Sequence, residues 1–290
     1  MIAERRRILT MLHEHKINVD DAEGLLDALE QTTETPPALK LEYVTANQQV
    51  EEVLALARKA APSNAPVLIV GEAGTGKELV ARIIHHESPR RDKPFIYANC
   101  VALTQSFEWE LFGYERGAFT GAIRQNTGLI ERANGGTLFF DEIGELRRDP
   151  QFMLMRFLET GEFERVGGTE AIRADVRVIT ATDKDLSAEI EAGSFRQDLF
   201  DHLSVITLEI PPLRKRVEDI PLLADYFLKR YAEQYDKPVP TITPEAMDML
   251  KAYPWPGNVR ELSKVIQSTL VLCDGNTIQV EHLPEAIAKQ

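Results

Sequence analysis

The sequence predicts an α/β fold: a parallel sheet with helical crossovers, preceded by a short helical hairpin and followed by a small all-helical lid. Short apolar runs alternate with helix-period stretches across the middle of the chain. A glycine-rich turn separates the first apolar run from a helix, and beyond PPLRKR at 211–216 only helical patterns remain.

The hairpin comes first. Ile8, Leu9, Met11 and Leu12 recur at helical spacing, HKINVDD breaks the pattern, and Ala22, Leu25, Leu26 and Leu29 resume it, with Asp20 or Asp21 placed to cap the second helix. Two helices this short cannot bury both apolar faces alone, so residues 1–31 are expected to dock on the main body, a second copy or a partner. They resemble a hairpin motif, MLxEGKIxxEEAxxLLxAL, at the start of several bacterial regulatory proteins. Residues 32–40 are polar and carry Pro36 and Pro37, which suits an extended tether.

Residues 41–212 hold the sheet. The pattern gives a helix at 48–60, a strand at 67–70, a helix at 77–86 and a strand at 95–99, then strands at 137–140, 176–181 and 205–210 separated by helical stretches. Residues 213–290 form the lid, with helices at 220–234, 244–253 and 258–273 and a short one near Pro284.

Composition narrows the function. At 290 residues and 43% hydrophobic content the chain can build a substantial core. No run of about eighteen apolar residues and no signal-peptide pattern occurs, so a cytoplasmic protein without a membrane partner is expected. A net charge of -13 argues against a broad surface for nucleic-acid phosphates, so DNA contact would be indirect. Cys100 and Cys273 lack any ligand spacing and read as reduced, buried thiols. His85 and His86 point about 100° apart on a helix and share no face for a metal.

The chemistry concentrates at two strand ends. In VLIVGEAGTGKE, residues Gly71, Glu72, Ala73, Gly74, Thr75, Gly76 and Lys77 form a GxxxxGK loop between an apolar strand and a helix. Successive backbone N–H groups and the helix N-terminus suit phosphates, and Lys77 supplies the neutralising charge, so ATP is the expected ligand. Glu78 stands in the slot where a Ser or Thr would meet Mg²⁺. In TLFFDEIGEL an apolar strand ends in Asp141, suited to hold Mg²⁺ directly or through water, and Glu142, suited to orient or deprotonate the attacking water.

With these motifs on the page, the chain resembles the AAA+ domain of bacterial enhancer-binding proteins, the activators of sigma-54 RNA polymerase, from about Tyr43 to Leu283. The resemblance implies an AAA+ P-loop NTPase that forms a ring, a hexamer, and hydrolyses ATP with Mg²⁺ to remodel the sigma-54 holoenzyme. Its GKE variant of the loop makes Glu78 ordinary, and Val44 falls at a nucleotide-contacting position. ELFGYERGAFTGA contains an intact GAFTGA: Gly117, Ala118, Phe119, Thr120, Gly121 and Ala122. By resemblance this loop contacts sigma-54, with Phe119 expected exposed on a mobile loop and Arg165 and Val166 at the tip of a second loop beside it.

Other positions carry over singly. Asn99 matches the asparagine that couples the catalytic glutamate to the mobile loop, Thr182 the first sensor and Arg260 the second, which closes the lid on the nucleotide. Asp183 stands where the family has asparagine, bringing an extra carboxylate near the phosphates. FRQDLFDHL keeps Arg196, one of two arginines that reach a neighbouring subunit's site, but has His202 at the other. A neutral histidine cannot replace that charge, so turnover is expected to be slower, pH-sensitive or reliant on Arg196 alone.

The family commonly adds a regulatory domain before this module and a helix-turn-helix after it; this sequence shows neither pattern, so either an excised fragment or a natural protein acting from solution or through a DNA-bound partner is expected. Two rival readings stand beside the remodelling ATPase. One is a nucleotide-binding regulatory subunit of sigma-54 or a homologous activator with weak ATPase, and the other a different AAA+ machine, against which the intact GAFTGA weighs.

Overall fold

The computed structural model describes residues 42–101, 107–273 and 275–289; the expected hairpin and tether lie outside them. One compact unit spans Tyr43–Gln290.

The entering chain forms α1 (Gln48–Ala60), whose first turn is capped by the Asn47 side chain accepting from Val50 N–H, and whose apolar face buries Val50, Leu54 and Ala57. β1 (Val67–Val70) follows, then α2 (Lys77–His86) and β2 (Phe95–Asn99). α3 (Phe107–Phe112) leads into a two-residue antiparallel pair, β3 (Gly113–Tyr114) with β4 (Asn126–Thr127), and the segment between them includes residues 117–122. α4 (Leu129–Arg132) precedes β5 (Thr137–Asp141), and α5 (Arg148–Thr160) precedes a second small pair, β6 (Glu162–Phe163) with β7 (Ile172–Arg173). β8 (Arg177–Thr182), α6 (Leu186–Glu191), α7 (Gln197–Leu203) and β9 (Ile206–Glu209) complete the α/β body.

The five long strands run parallel in the order β2-β5-β8-β1-β9. Their apolar runs read as continuous rather than alternating because both faces are covered by helices; β5 and β8 are buried almost throughout. Register aligns Val70 with Thr182 and Asn99 with Asp141, so the phosphate loop and the carboxylate pair leave the same edge of the sheet. Arg177 at the start of β8 is buried and caps the C-terminus of α1, donating to the carbonyls of Ala60 and Ala61; burial lowers its pKa to about 10.

The lid has its own core around Leu223, Phe227, Leu250, Trp255, Leu262 and Ile266, drawn from α8 (Asp219–Gln234), α9 (Pro244–Ala252) and α10 (Asn258–Leu272). Trp255 is fully buried and its indole N–H donates to Leu250 O at 2.8 Å. The lid is helical apart from one short parallel pair, β10 (Thr241–Ile242) with β11 (Thr277–Ile278), before the last turn, α11 (Glu285–Ala288). Among the described residues no helix is long and apolar enough to cross a membrane.

Candidate functional site

The loop after β1 is held from below by Gly71 N–H donating to Thr182 O at 3.1 Å, and Gly74 and Gly76 take the left-handed backbone at φ 79° and 106°. A side chain at either position would also collide, with the Gly257 carbonyl at Gly74 and with the Tyr43 ring at Gly76. Gly76 caps α2 without any side-chain bond, which leaves the helix N-terminus to main-chain N–H groups. Lys77 is nearly buried, its Nζ donating to Gly71 O at 2.7 Å and pairing with Glu142 Oε1 at 3.2 Å. This cradle of N–H groups around one cation fits the phosphates of a nucleotide.

The lid closes directly on the loop. Asn258 Nδ2 donates to Ala73 O at 3.0 Å and Glu72 Oε2 at 3.2 Å, and Val259 N–H donates to Gly74 O at 3.0 Å. Arg214 grips Glu72 through two bonds of 2.6 and 2.8 Å, which with the Asn258 bond hold that carboxyl down at about 2 despite its partial desolvation. Arg260 stands beside Gly74 and lines an open recess of about 290 Å³ with Ala73, Gly257, Glu261 and Lys264.

Beneath the loop lies a buried hub that the sequence reading missed. Arg216 and Asp219 are both fully buried and pair at 3.4 Å. Arg216 also donates to Thr75 O at 3.0 Å and Tyr43 Oη at 3.2 Å, while Tyr43 itself donates to Thr75 O at 2.8 Å. Asp219 accepts from Thr45 Oγ1, Ala46 N–H and Asn47 N–H. Val44, between these, packs on the lid core. The RxxD spacing at 216–219 was the available signal, since the turn closed by Asp219 N–H on Arg216 O sets the two residues together at the start of the helix.

Asp141 and Glu142 emerge from β5 next to Lys77. Glu142 holds a left-handed backbone (φ 56°), an uncommon conformation for a side chain of its size, and its Oε2 accepts from Asp183 N–H at 3.1 Å. Burial raises the Glu142 pKa above the ordinary carboxylate value, with Lys77 opposing and the neighbouring Asp183 carboxylate adding to the rise. Asp141 Oδ2 accepts from Tyr97 Oη at 2.8 Å, and the Asn99 amide donates to that same hydroxyl at 3.2 Å while its carbonyl accepts from Val101 N–H. Thr182 is buried at the end of β8, its hydroxyl accepting from Lys184 N–H at 3.1 Å. No cluster of three or more metal-ligating side chains occurs among the described residues. Asp141 and Glu142 beside a phosphate cradle nevertheless fit Mg²⁺, which binds through one or two carboxylates plus phosphates and water. Cys100, behind this pair, is buried and its thiol pKa is pushed up. His85 is a packing residue, its Nδ1 2.9 Å from Thr137 Oγ1 and its ring against Phe95.

Two expectations about the 117–122 loop need correction. Phe119 is half-buried rather than exposed: its ring stacks on Trp109 at 4.0 Å and 11°, with Tyr114 edge-on at 5.0 Å. Arg165 is not at a tip. It is held between Glu115 at 2.9 Å and Glu131 at 2.7 Å, and Val166 exchanges main-chain bonds with Gly113 and Glu115. Gly117 and Gly121 take the left-handed backbone at φ 85° and 110°, and nothing crowds either one. Thr120 is exposed, Ala118 lies against Gly167, and just past Ala122 the aliphatic Ile123 is 84% exposed, a residue the sequence reading passed over. Far from this loop, Arg196 precedes α7 and is paired through two bonds with Asp198, its guanidinium 5.5 Å from the Phe152 ring.

A parallel sheet bearing a phosphate loop and an acidic strand end, closed by a helical lid, defines a P-loop nucleotide-binding protein. Residues 43–209 match the sigma-54 interaction domain and residues 214–290 the AAA+ ATPase lid domain, so the chain belongs to the AAA+ sigma-54 activator family. It is 48% identical to the transcriptional regulatory protein ZraR of Escherichia coli K12 over 258 residues, covering 88% of this chain and 58% of ZraR. It is 52% identical to the regulatory protein AtoC of the same organism over 230 residues, 79% of this chain and 50% of AtoC. The chain therefore spans about half the length of these relatives. Crystal structures of NtrX from Brucella abortus in complex with ADP and with ATP superpose with TM-scores of 0.80 and 0.79 at 34% and 35% identity. They cover 96% and 93% of this chain and 62% and 61% of NtrX.

Proposed function

We propose that the protein is a ring-forming ATPase that remodels the sigma-54 polymerase holoenzyme through the 117–122 loop. The observation carrying the ATPase reading is the convergence of the phosphate loop, Lys77 and a desolvated Glu142 at one sheet edge. In this reading the N–H groups of residues 74–77 cradle the outer phosphates and Lys77 exchanges its bond to Glu142 for a phosphate oxygen. Glu142 Oε1, so released, takes the proton of the attacking water, and its raised pKa makes it the better base. Asp141 is the residue that would hold Mg²⁺, which when bound supplies charge neutralisation between the phosphates. Arg260, lining the open recess beside Gly74, is the candidate lid contact to the nucleotide, and the Asn258 and Val259 bonds hold the lid against the loop. Asn99, bonded to the Tyr97 hydroxyl beside Asp141, is the candidate coupler between nucleotide and loop, and Thr182 at the end of β8 the candidate sensor of the γ-phosphate or the attacking water.

Arg196 is assigned to a neighbouring copy's site. To reach a phosphate there it must leave Asp198, exchanging one bidentate partner for another. Thr120 and Ile123 offer a hydroxyl and an aliphatic contact to sigma-54, the candidate partner. A second reading, a nucleotide-binding regulatory subunit with weak turnover, is favoured by His202 on α7 and by the Arg196–Asp198 pairing.

Steady-state ATPase measured against protein concentration separates the two. A rising specific activity that Arg196→Ala lowers by roughly 10³-fold is expected for the ring ATPase. Tight ATP binding with negligible turnover at every concentration would overturn it. Thr120→Val is expected to retain ATPase and lose promoter opening.

A further inference from the structure

We propose that Tyr97 is a positioning residue for the metal carboxylate, fixing Asp141 by its hydroxyl and linking Asn99 to it. The proposal rests on the reading of Asp141 as the Mg²⁺-holding residue.

The geometry follows from the sheet. Tyr97 and Asn99 lie two positions apart on β2, so their side chains leave the same face, and β2 pairs with β5 in a register that sets Asn99 against Asp141. The tyrosine's length carries its hydroxyl up to the strand end, while its ring rests on Phe139 at 5.8 Å. There Oη donates to Asp141 Oδ2 at 2.8 Å and accepts from the Asn99 amide at 3.2 Å. A phenol has one proton to give, and here it goes to the carboxylate while the lone pairs take the asparagine N–H. The three side chains thus form one directed chain, Asn99 to Tyr97 to Asp141.

Two consequences follow. With Oδ2 engaged, the rotation of the Asp141 carboxylate about its last bond is fixed, and Oδ1 is the oxygen presented to a cation. Metal-binding groups are commonly oriented this way by hydrogen bonds from behind, and removing such a bond weakens metal affinity by about 10–100-fold. Moreover, any movement of the Asn99 amide is transmitted to Asp141 through the phenol, not only toward Glu142. Tyr97 is 39% exposed, so its hydroxyl is not needed to satisfy a buried core, and a structural role alone does not account for it.

Tyr97→Phe keeps the ring contact with Phe139 and deletes the bond. Binding of a fluorescent ATP analogue is measured while Mg²⁺ is titrated and again in EDTA, using the whole chain. The expected result is a rise of about 10-fold in half-saturating Mg²⁺, with unchanged nucleotide affinity in EDTA and turnover largely recovered at high Mg²⁺. An unchanged Mg²⁺ midpoint, or an equal loss of affinity with and without Mg²⁺, overturns the proposal. Asp141→Asn is measured alongside. If it leaves the Mg²⁺ dependence intact, the assignment of Asp141 fails; if it shifts the midpoint while Tyr97→Phe does not, only the role of Tyr97 is lost.

Discussion

Asp219→Asn tests the buried hub under the phosphate loop. The two carboxylate oxygens have separate duties: Oδ1 accepts from Ala46 N–H at 2.6 Å and Asn47 N–H at 3.2 Å, whereas Oδ2 accepts from Thr45 Oγ1 at 2.8 Å and Arg216 Nη1 at 3.4 Å. An asparagine can keep its oxygen on the two main-chain donors and turn its amide toward Thr45, so shape and most bonds survive. What it loses is the charge paired with a fully buried guanidinium, whose Nε already lacks a partner among the described residues. Removing one member of a buried ion pair costs about 3–5 kcal/mol, because the other is left as an uncompensated charge. With the two main-chain bonds kept, the Thr45 bond reversed and only the long Arg216 bond lost, the lower end applies, about 3 kcal/mol, or roughly 6–12 °C in Tm for a domain of this size.

The measurement is denaturant unfolding in a Trp109→Phe background, where Trp255, buried in the lid core, is the remaining reporter of the chain's two tryptophans. Arg216→Met combined with Asp219→Asn is expected to recover part of the loss, since no orphaned charge remains. A single-variant loss below about 1 kcal/mol, or a double variant less stable than the single, would refute the assignment of a charged hub.

Two further predictions concern the site and the loop. If Glu142 must be ionised to accept a proton, its raised pKa places the acid limb of kcat/KM above the ordinary carboxylate range, with activity lost as pH falls through it; Asp183→Asn removes a charge that raises it and is expected to move the limb to lower pH. A limb that ignores Asp183 refutes the electrostatic assignment. Phe119→Ala is expected to unstack Trp109 and shift its emission to longer wavelength, while buried Trp255 contributes a constant background; an unaltered spectrum would refute the aromatic clasp.

The sheet was legible because its signals are local. Uninterrupted apolar runs at 67–70 and 95–99 coincide with β1 and β2, and the helices at 48–60 and 77–86 coincide with α1 and α2, each bounded by a cap or a glycine that its own sequence supplies. β8 runs one residue beyond the expected end because Thr182, polar by type, is buried at the sheet edge and bonds Gly71 through its carbonyl. The pairs β3 with β4 and β6 with β7 are two residues per strand, too short to show a period. Tyr97 and Trp109 were invisible for a different reason: each acts on a partner brought close by tertiary structure, Asp141 across the sheet and Phe119 on the far side of a turn. Arg165 was misjudged because a loop assignment says where the backbone runs and not whether Glu115 and Glu131 wait beside it.

The contacts between lid and phosphate loop divide by burial, and the division bears on which can change as the nucleotide does. Arg214 and Glu72 are each more than 40% exposed, so their pair is screened by water and contributes little beyond its geometry. The Asn258 and Val259 bonds to Ala73 and Gly74 are neutral hydrogen bonds worth about 1 kcal/mol net each, although Asn258 itself is fully buried. Arg216 differs in kind: paired with Asp219 inside the lid, it donates a charged, buried bond of 3.0 Å to Thr75 O, and withdrawing it would leave the guanidinium short of a partner in a dry interior. Any opening of the lid therefore has weak contacts to break along Glu72–Gly74 and a strong one to preserve at Thr75. The arrangement suits a nucleotide site whose lid bears on the phosphate loop through one buried, charged bond and several weaker ones.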